Sequence, residues 1–238
     1  MYGIPFDPVL LIIFGVFFIL SLIVGQTLKS KFKTYSKVPN ANGMTGRQVA
    51  EKMLADHGVY DVKVVSVAGT LTDHYNPRTK TVNLSSGVYG SNSVAAAAVA
   101  AHECGHAIQH ANAYAWLEFR SALVPVQSIS GWIINAMFIG MFLFAGVLPS
   151  FMDWNTALAV IIACYGVFTL FAFITLPVEV NASQRALVWI KDSGITDSRT
   201  HYKSQDALRW AAYTYVVAAL ASLATLLYYI MIFAGSND

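Results

Sequence analysis

The sequence predicts an α-helical membrane protein with about four transmembrane helices and a small cytoplasmic α+β domain. Of its 238 residues, 56% are hydrophobic and only 12% are charged, whereas a soluble domain usually carries about 25% charged residues. Four long stretches contain no Asp, Glu, Lys or Arg, and each is long enough to cross ~30 Å of hydrocarbon. Buried core helices are seldom so long and so free of charge. The four predicted spans are 8–28, 124–148, 156–177 and 210–234.

The cations predict the orientation of these spans. All fifteen Lys and Arg residues lie within 29–120 and 185–209, while the tails and the remaining connection carry only Asp7, Asp153 and Asp238. By the positive-inside rule, both basic segments face the cytoplasm and both termini face outward. We therefore expect a multi-pass protein of the cytoplasmic (inner) membrane with the lipid bilayer as a partner. The net charge of +2 is too small to indicate a nucleic-acid partner.

Residues 29–121 read as the cytoplasmic α+β domain. Thr45 and Gln48 form a capping box that opens a helix running to about His57. Three short strands are predicted next, with a turn at Asn76–Thr79 between the last two. These strands are VKVVSV (62–67), GTLTDHY (69–75) and KTVNLS (80–85).

Two further helical patterns flank the second and third spans. Ser91–Ser93 offers N-caps for a long Ala-rich helix over 94–119, which leads almost directly into the second span. After Pro177 another helical pattern begins and is closed by Gly194. Residues 195–209 are predicted to be a polar link, so that 178–209 forms a second cytoplasmic segment.

The Ala-rich helix carries the motif HECGH. His102 and His106 are four residues apart, so both imidazoles project from one helical face, about 6 Å apart along the axis. Two such imidazoles are half of a tetrahedral zinc site, and Glu103 can serve as general base toward a zinc-activated water. The alternatives are a chance occurrence and a structural zinc site, in which four protein ligands would leave Glu103 without a task.

A third protein ligand is needed for a catalytic zinc ion. The extended motif HExxHxxGxxH is absent, because Gln109 and Asn112 occupy its glycine and third-histidine positions. Glu118 lies about 18 Å from His106 if the helix is continuous. Glu179 remains as the candidate third ligand, since it is predicted to be cytoplasmic and to lie near the membrane surface. Its alternative role is a solvated carboxylate at a helix start.

The other histidines, the cysteines and a few polar side chains are predicted to lie outside the set of metal ligands. His110 continues the His102/His106 face and is expected to be a hydrogen-bonded histidine next to the site. Cys104 and Cys164 fit no zinc or redox spacing, and Cys104 is expected to pack in the core. Four side chains are candidates for donors to the oxyanion of the transition state: His74, His201, Tyr202 and Arg185.

At HECGH followed by LPVEVNASQRA, the chain resembles the YugP-like bacterial membrane zinc metallopeptidases over nearly its full length. More distantly it resembles gluzincin-like membrane peptidases of the HtpX and prenyl-protein protease type, which pair HExxH with a later E-x-x-x-D. The resemblance implies a zincin-like domain that binds one zinc ion per chain. It also implies His102, His106 and Glu179 as ligands and Glu103 as base.

Two details of the resemblance concern the surroundings of the zinc ion. In the distant relatives, the Asp four residues after the ligand glutamate orients a histidine; here that position is Ser183, and Asn181 is the alternative. The resemblance also implies that KTVNLS is the edge strand beside which a substrate peptide lies in extended form.

The function expected from these observations is that of a membrane-anchored zinc endopeptidase acting on peptides or membrane-protein segments, with membrane-protein quality control as one expected role. An intramembrane protease would need HExxH inside a span, and 93–111 is too short and too polar for one. A transporter would keep ionisable groups within its spans, and these spans have none. A non-catalytic metal-binding membrane adaptor is the remaining alternative, disfavoured because Glu103 is intact.

Overall fold

The computed structural model describes residues 7–143 and 153–235. The architecture is mostly helical with one small mixed sheet. In chain order its elements are α1 (Pro8–Tyr35), α2 (Gly46–Asp56), β1 (Lys63–Val67), β2 (His74–Asn76), β3 (Thr81–Ser85), α3 (Ser86–Tyr89), α4 (Val94–Ala111), α5 (Ala115–Leu143), α6 (Trp154–Asp192) and α7 (His201–Gly235).

Four helices in the described part of the chain, α1, α5, α6 and α7, are long and apolar enough to cross a membrane. Helices α1, α6 and α7 each contain a predicted charge-free stretch, and α5 contains the described part of the fourth, 124–143, so the prediction of four long apolar helices is confirmed. Residues 144–148 of the second predicted span and Asp238 lie outside the described residues.

The chain divides into two compact units. Leu158 and Tyr229 lie at the centre of the apolar core of one unit, and Met53 and Ile108 lie in that of the other. The first unit consists of Met1–Leu22, Phe119–Thr175 and Tyr215–Asp238, and the second of Ile23–Glu118 and Leu176–Thr214.

In the second unit, the alanine-rich α4 is the central helix. Its alanines Ala96, Ala97, Ala100 and Ala101 are fully buried. Because alanine side chains are short, α2, α3 and the sheet can pack around α4 on several sides. The predicted N-cap is confirmed, since Ser93 Oγ accepts a hydrogen bond from Ala96 N.

Helix α2 begins and ends where the sequence indicates. The capping box of Thr45 and Gln48 is present in both directions. His57 is the C-cap, and Gly58 follows with a φ of +71°. This left-handed conformation favours glycine and ends the helix.

The three-stranded sheet has the order β1-β3-β2, with β1 parallel and β2 antiparallel to β3. Asn76 Oδ1 accepts the backbone N–H groups of Arg78 and Thr79, as a turn at this position requires. KTVNLS contains β3, the central strand, so its expected place at the sheet edge is wrong. Strand β3 pairs with β1 on one side and with β2 on the other, and the pairing with β1 is a contact between distant segments that a local pattern cannot show.

Four predicted boundaries also differ from the structure. The helix expected over 94–119 is interrupted after Ala111, because Ala113 adopts a left-handed φ of +47°. The strand expected over 69–75 is reduced to β2, and Leu71 has a φ of +57°. Residues 201–209, expected to be a polar link, are the first turns of α7. Helix α6 runs through Pro177 without ending there.

Candidate metal centre

The ligand atoms of His102, His106 and Glu179 lie within 4.8 Å of one another. Helix α4 supplies the two histidines, whose ring centroids are 4.8 Å apart, and α6 supplies the glutamate. Oε2 of Glu179 lies 3.3 Å from Nε2 of His102 and 3.5 Å from Nε2 of His106. We refer to these three side chains as the metal centre.

The metal centre depends on a close approach of α4 and α6 at Gly105. A Cβ atom on Gly105 would lie 2.7 Å from the backbone oxygen of Ala182. Real Cβ atoms do not come this close to a backbone oxygen, so glycine is required at the fourth position of HECGH. The missing side chain brings Glu179, one turn before Ala182, onto the histidine face of α4.

Both imidazoles are oriented through their Nδ1 atoms. A hydrogen bond of 3.1 Å joins Ser183 Oγ to Nδ1 of His102, and Nδ1 of His106 donates to Oε1 of Gln109 at 3.0 Å. With each Nδ1 engaged outside the centre, each Nε2 faces Glu179 and is available as a ligand. Ser183 therefore makes the histidine contact expected for the Asp of the distant relatives.

Gln109 is the residue near the centre that the sequence did not reveal. It is fully buried, and its Nε2 donates to the backbone oxygen of Val178 at 2.8 Å and to Oδ1 of Asn181 at 3.0 Å. Asn181 thus binds Gln109 and not a histidine. The signal that was available is the position of Gln109, three residues after His106 and on the same side of the helix.

The donor set fits a zinc ion. Ligand bonds of about 2.0–2.1 Å in tetrahedral geometry place ligand atoms about 3.3–3.4 Å apart. The two histidine–carboxylate separations, 3.3 and 3.5 Å, agree with this spacing. Two imidazole nitrogens and one carboxylate oxygen are also the kind of three-ligand set that leaves a fourth position open.

Glu103 is held beside the metal centre by the sheet. It is 8% exposed, and its Oε2 accepts a hydrogen bond of 3.0 Å from the backbone N–H of Tyr75 in β2. The hydroxyl of Tyr75 is 2.9 Å from Nδ1 of His110, two turns further along α4. The edge strand β2 is therefore attached to α4 at two points, and His110 is hydrogen-bonded as predicted.

Burial and charge act in opposite directions on the ionisable groups of this region. Burial lowers the pKa of His106, but the hydrogen bond and the negative charge of Glu179 outweigh it, so the pKa of His106 is raised. Burial raises the pKa of Asp73, although hydrogen bonds from Ser85 oppose that rise. Asp73 lies just before β2 and, through Ser85, attaches the start of that strand to the end of β3.

The burial of Glu179 contradicts its alternative role as a solvated carboxylate at a helix start. It is 3% exposed and lies in the interior of α6. Cys104 is fully buried and donates to the backbone oxygen of Ala50, as expected of a packing residue.

The candidate oxyanion donors have their contacts elsewhere. His74 is exposed and its Nδ1 contacts the backbone oxygen of Thr72. His201 is hydrogen-bonded to Thr196, and Tyr202 is 57% exposed. Arg185 alone is connected to the centre, since it donates to Asn181 and so joins the hydrogen-bond chain through Gln109 to His106.

Comparison with known proteins agrees with this donor set. The family model described as "Putative neutral zinc metallopeptidase" matches residues 10–234. The "Putative membrane protease YugP" of Bacillus subtilis (strain 168) is 41% identical over 211 residues, which is 89% of this chain and 90% of that protein. No solved structure matches the chain.

Proposed function

The chain belongs to the family described as "Putative neutral zinc metallopeptidase", and from this membership we propose that it is a membrane-anchored zinc endopeptidase. The observation that carries the proposal is the convergence of His102, His106 and Glu179 within 4.8 Å, with Glu103 fixed beside them. A purely structural zinc site would bring a fourth protein ligand and would have no use for a buried glutamate next to it.

In the proposed mechanism His102, His106 and Glu179 would hold one zinc ion per chain, and the hydrogen bonds with Ser183 and Gln109 orient the two imidazoles for this role. When bound, zinc supplies Lewis acidity that lowers the pKa of a water molecule and polarises the scissile carbonyl. Glu103 takes the proton of the attacking water and passes it to the leaving amine. The hydrogen bond from Tyr75 N–H to Oε2 orients the carboxylate for both transfers.

We propose that the centre faces the cytoplasm at the membrane surface. The motif residues lie within the basic segment 29–120, and Glu179 lies between the charge-free stretch 156–177 and the basic segment 185–209. Substrates would be peptides or membrane-protein segments, and quality control of membrane proteins is the role we propose. An extended substrate would pair with β2, because β2 is the sheet edge attached to α4.

The replacement of Glu103 by Gln tests the mechanism directly. The amide cannot accept the proton of water, whereas the three ligands are unchanged, so Glu103→Gln should keep zinc and lose hydrolysis by at least about a hundredfold. The assay is metal content together with cleavage of an unstructured polypeptide, with and without chelator. Glu51→Gln is the matched control, because Glu51 is exposed on α2 and forms a salt bridge with Arg47, away from the three ligands.

Removal of a ligand should have a different effect. Glu179→Ala should lose zinc as well as activity, while the control keeps both. Parental activity in Glu103→Gln would refute the base assignment, and full zinc content in Glu179→Ala would move the third ligand elsewhere. Zinc binding without hydrolysis in the parent chain would favour the metal-binding adaptor.

A further inference from the structure

We propose that a surface depression between the end of α1 and the start of α7 binds the phosphate group of an anionic membrane phospholipid. The inference rests on the membrane-spanning topology proposed above and not on peptide hydrolysis. The depression has a volume of about 300 Å³, which reaches the size of ligand-binding clefts. It is lined by Lys31, Tyr35, Tyr202, Gln205, Asp206 and Arg209, all within the second unit.

The two cations lie where the apolar stretches of their helices end. On α1, Lys31 is three residues beyond the charge-free stretch 8–28, about 4.5 Å along the helix axis. On α7, Arg209 directly precedes the charge-free stretch 210–234. If these stretches span the hydrocarbon, both cations lie at the depth of the lipid headgroups.

Three contacts hold the depression in shape. Lys31 Nζ is 2.8 Å from Oδ2 of Asp206, and the hydroxyl of Tyr35 donates to the same oxygen at 2.6 Å. The ammonium of Lys31 also lies 5.8 Å from the centroid of the Tyr35 ring. The end of α1 is therefore fixed to the first turns of α7, which makes a preformed site and lowers the cost of binding.

The depression has more hydrogen-bond donors than its one carboxylate, Asp206, can accept from. An ammonium group has three N–H donors and a guanidinium five. Lys31 forms a salt bridge with Asp206, and the exposed guanidinium of Arg209 also acts on this carboxylate through its charge. One carboxylate faces two cations, which leaves one net positive charge. The oxygens of a phosphate group can accept hydrogen bonds from Arg209 and Lys31, and the side-chain amide of Gln205 offers a further donor.

The test uses the full chain in a neutral detergent. Short-chain phosphatidylglycerol, short-chain phosphatidylcholine and inorganic phosphate are titrated separately, and bound molecules are counted by native mass spectrometry. We expect saturable binding of phosphatidylglycerol and binding of phosphatidylcholine at least about tenfold weaker. In Arg209→Gln, phosphatidylglycerol should bind at least about tenfold more weakly, because a hydrogen bond between charged groups is lost. Arg209→Lys should keep most of the affinity.

Two comparisons decide the outcome. Lys63→Gln removes the same charge on β1, outside the depression, and should change the affinity by less than about twofold. Equal losses in Arg209→Gln and Lys63→Gln would show a nonspecific charge effect and overturn the site. Equal binding of both lipids would overturn it as well. Inorganic phosphate that binds as tightly as phosphatidylglycerol, with the same dependence on Arg209, would replace the lipid by a soluble phosphate ligand. None of these results depends on zinc or hydrolysis.

Discussion

Ser183 shows how one residue near the metal centre can keep a role while its chemistry changes. Its hydroxyl reaches Nδ1 of His102 at 3.1 Å from the next turn of α6 after Glu179. A carboxylate at this position would strengthen the imidazole as a ligand more than a neutral hydroxyl does, because it attracts the Nδ1 proton. The serine therefore orients His102 with less effect on its basicity.

We expect Ser183→Ala to weaken zinc binding by about 10- to 100-fold, since His102 loses its orienting partner. Ser183→Asp should restore or exceed the parental affinity. Competition with a zinc chelator of known affinity measures both variants. Ser198→Ala, an exposed serine between α6 and α7, is the control. Unchanged zinc affinity in Ser183→Ala would mean that packing alone orients His102.

Tyr75 contributes to the site by its backbone and by its side chain. Its N–H holds Glu103 and its hydroxyl meets His110. Tyr75→Phe removes only the second contact, so zinc should stay bound while the rate of hydrolysis falls about 2- to 10-fold, as for the loss of one net hydrogen bond. Tyr60→Phe is the control, because Tyr60 is 81% exposed.

A double-mutant cycle identifies the contact responsible for that loss. His110→Gln alone should reduce the rate by a similar factor, and the double variant with Tyr75→Phe should be little worse than either single variant. Fully additive losses would show that the two side chains act independently of their hydrogen bond.

Among the elements, the contact of α4 with α6 decides whether the ligands meet. Gly105→Ala would place a methyl group 2.7 Å from Ala182 O, and the backbone on both sides cannot yield locally. We expect the helices to separate, zinc to be lost and the thermal transition to fall. Gly166→Ala in α6 is the control, because a Cβ there has no atom within 4 Å. A variant Gly105→Ala with parental zinc affinity would show that α6 can shift without cost.

The elements also show what the sequence could predict. Local signals were sufficient where the cause is local: the capping box at Thr45, the N-cap at Ser93 and the long charge-free helices. They failed where the cause is distant. The central position of β3 depends on its parallel pairing with β1 across the sheet. The end of α4 depends on Ala113, a residue that gives no glycine or proline signal.

The convergence of the three candidate ligands was predictable to a similar extent. HECGH fixes two imidazoles on one face by helix geometry alone, and Glu179 was the remaining candidate for the third ligand. The contact of Gln109 with His106 has a local signal, the spacing of three residues on α4, whereas its contact with Val178 on α6 has none. Such a contact follows from helix packing, which a single sequence does not encode in any local pattern.

The arrangement of the whole molecule in the membrane can be tested with single cysteines. The native Cys104 and Cys164 are buried, so the parent chain should react little with a membrane-impermeant maleimide. Thr79 is exposed in the turn before β3, and Asn155 is exposed in the first turn of α6. They belong to segments that the distribution of Lys and Arg assigns to opposite sides of the bilayer.

In intact cells, Asn155→Cys should be labelled, and Thr79→Cys should be protected until the membrane is permeabilised. This result would place the second unit, and with it the metal centre, on the cytoplasmic side. Labelling of Thr79→Cys with protection of Asn155→Cys would invert the topology and move the peptidase site outside. Labelling of both variants in intact cells would mean that residues 124–148 do not cross the membrane. The stretch 156–177 would then not cross it either, because His102 and Glu179 must lie on the same side.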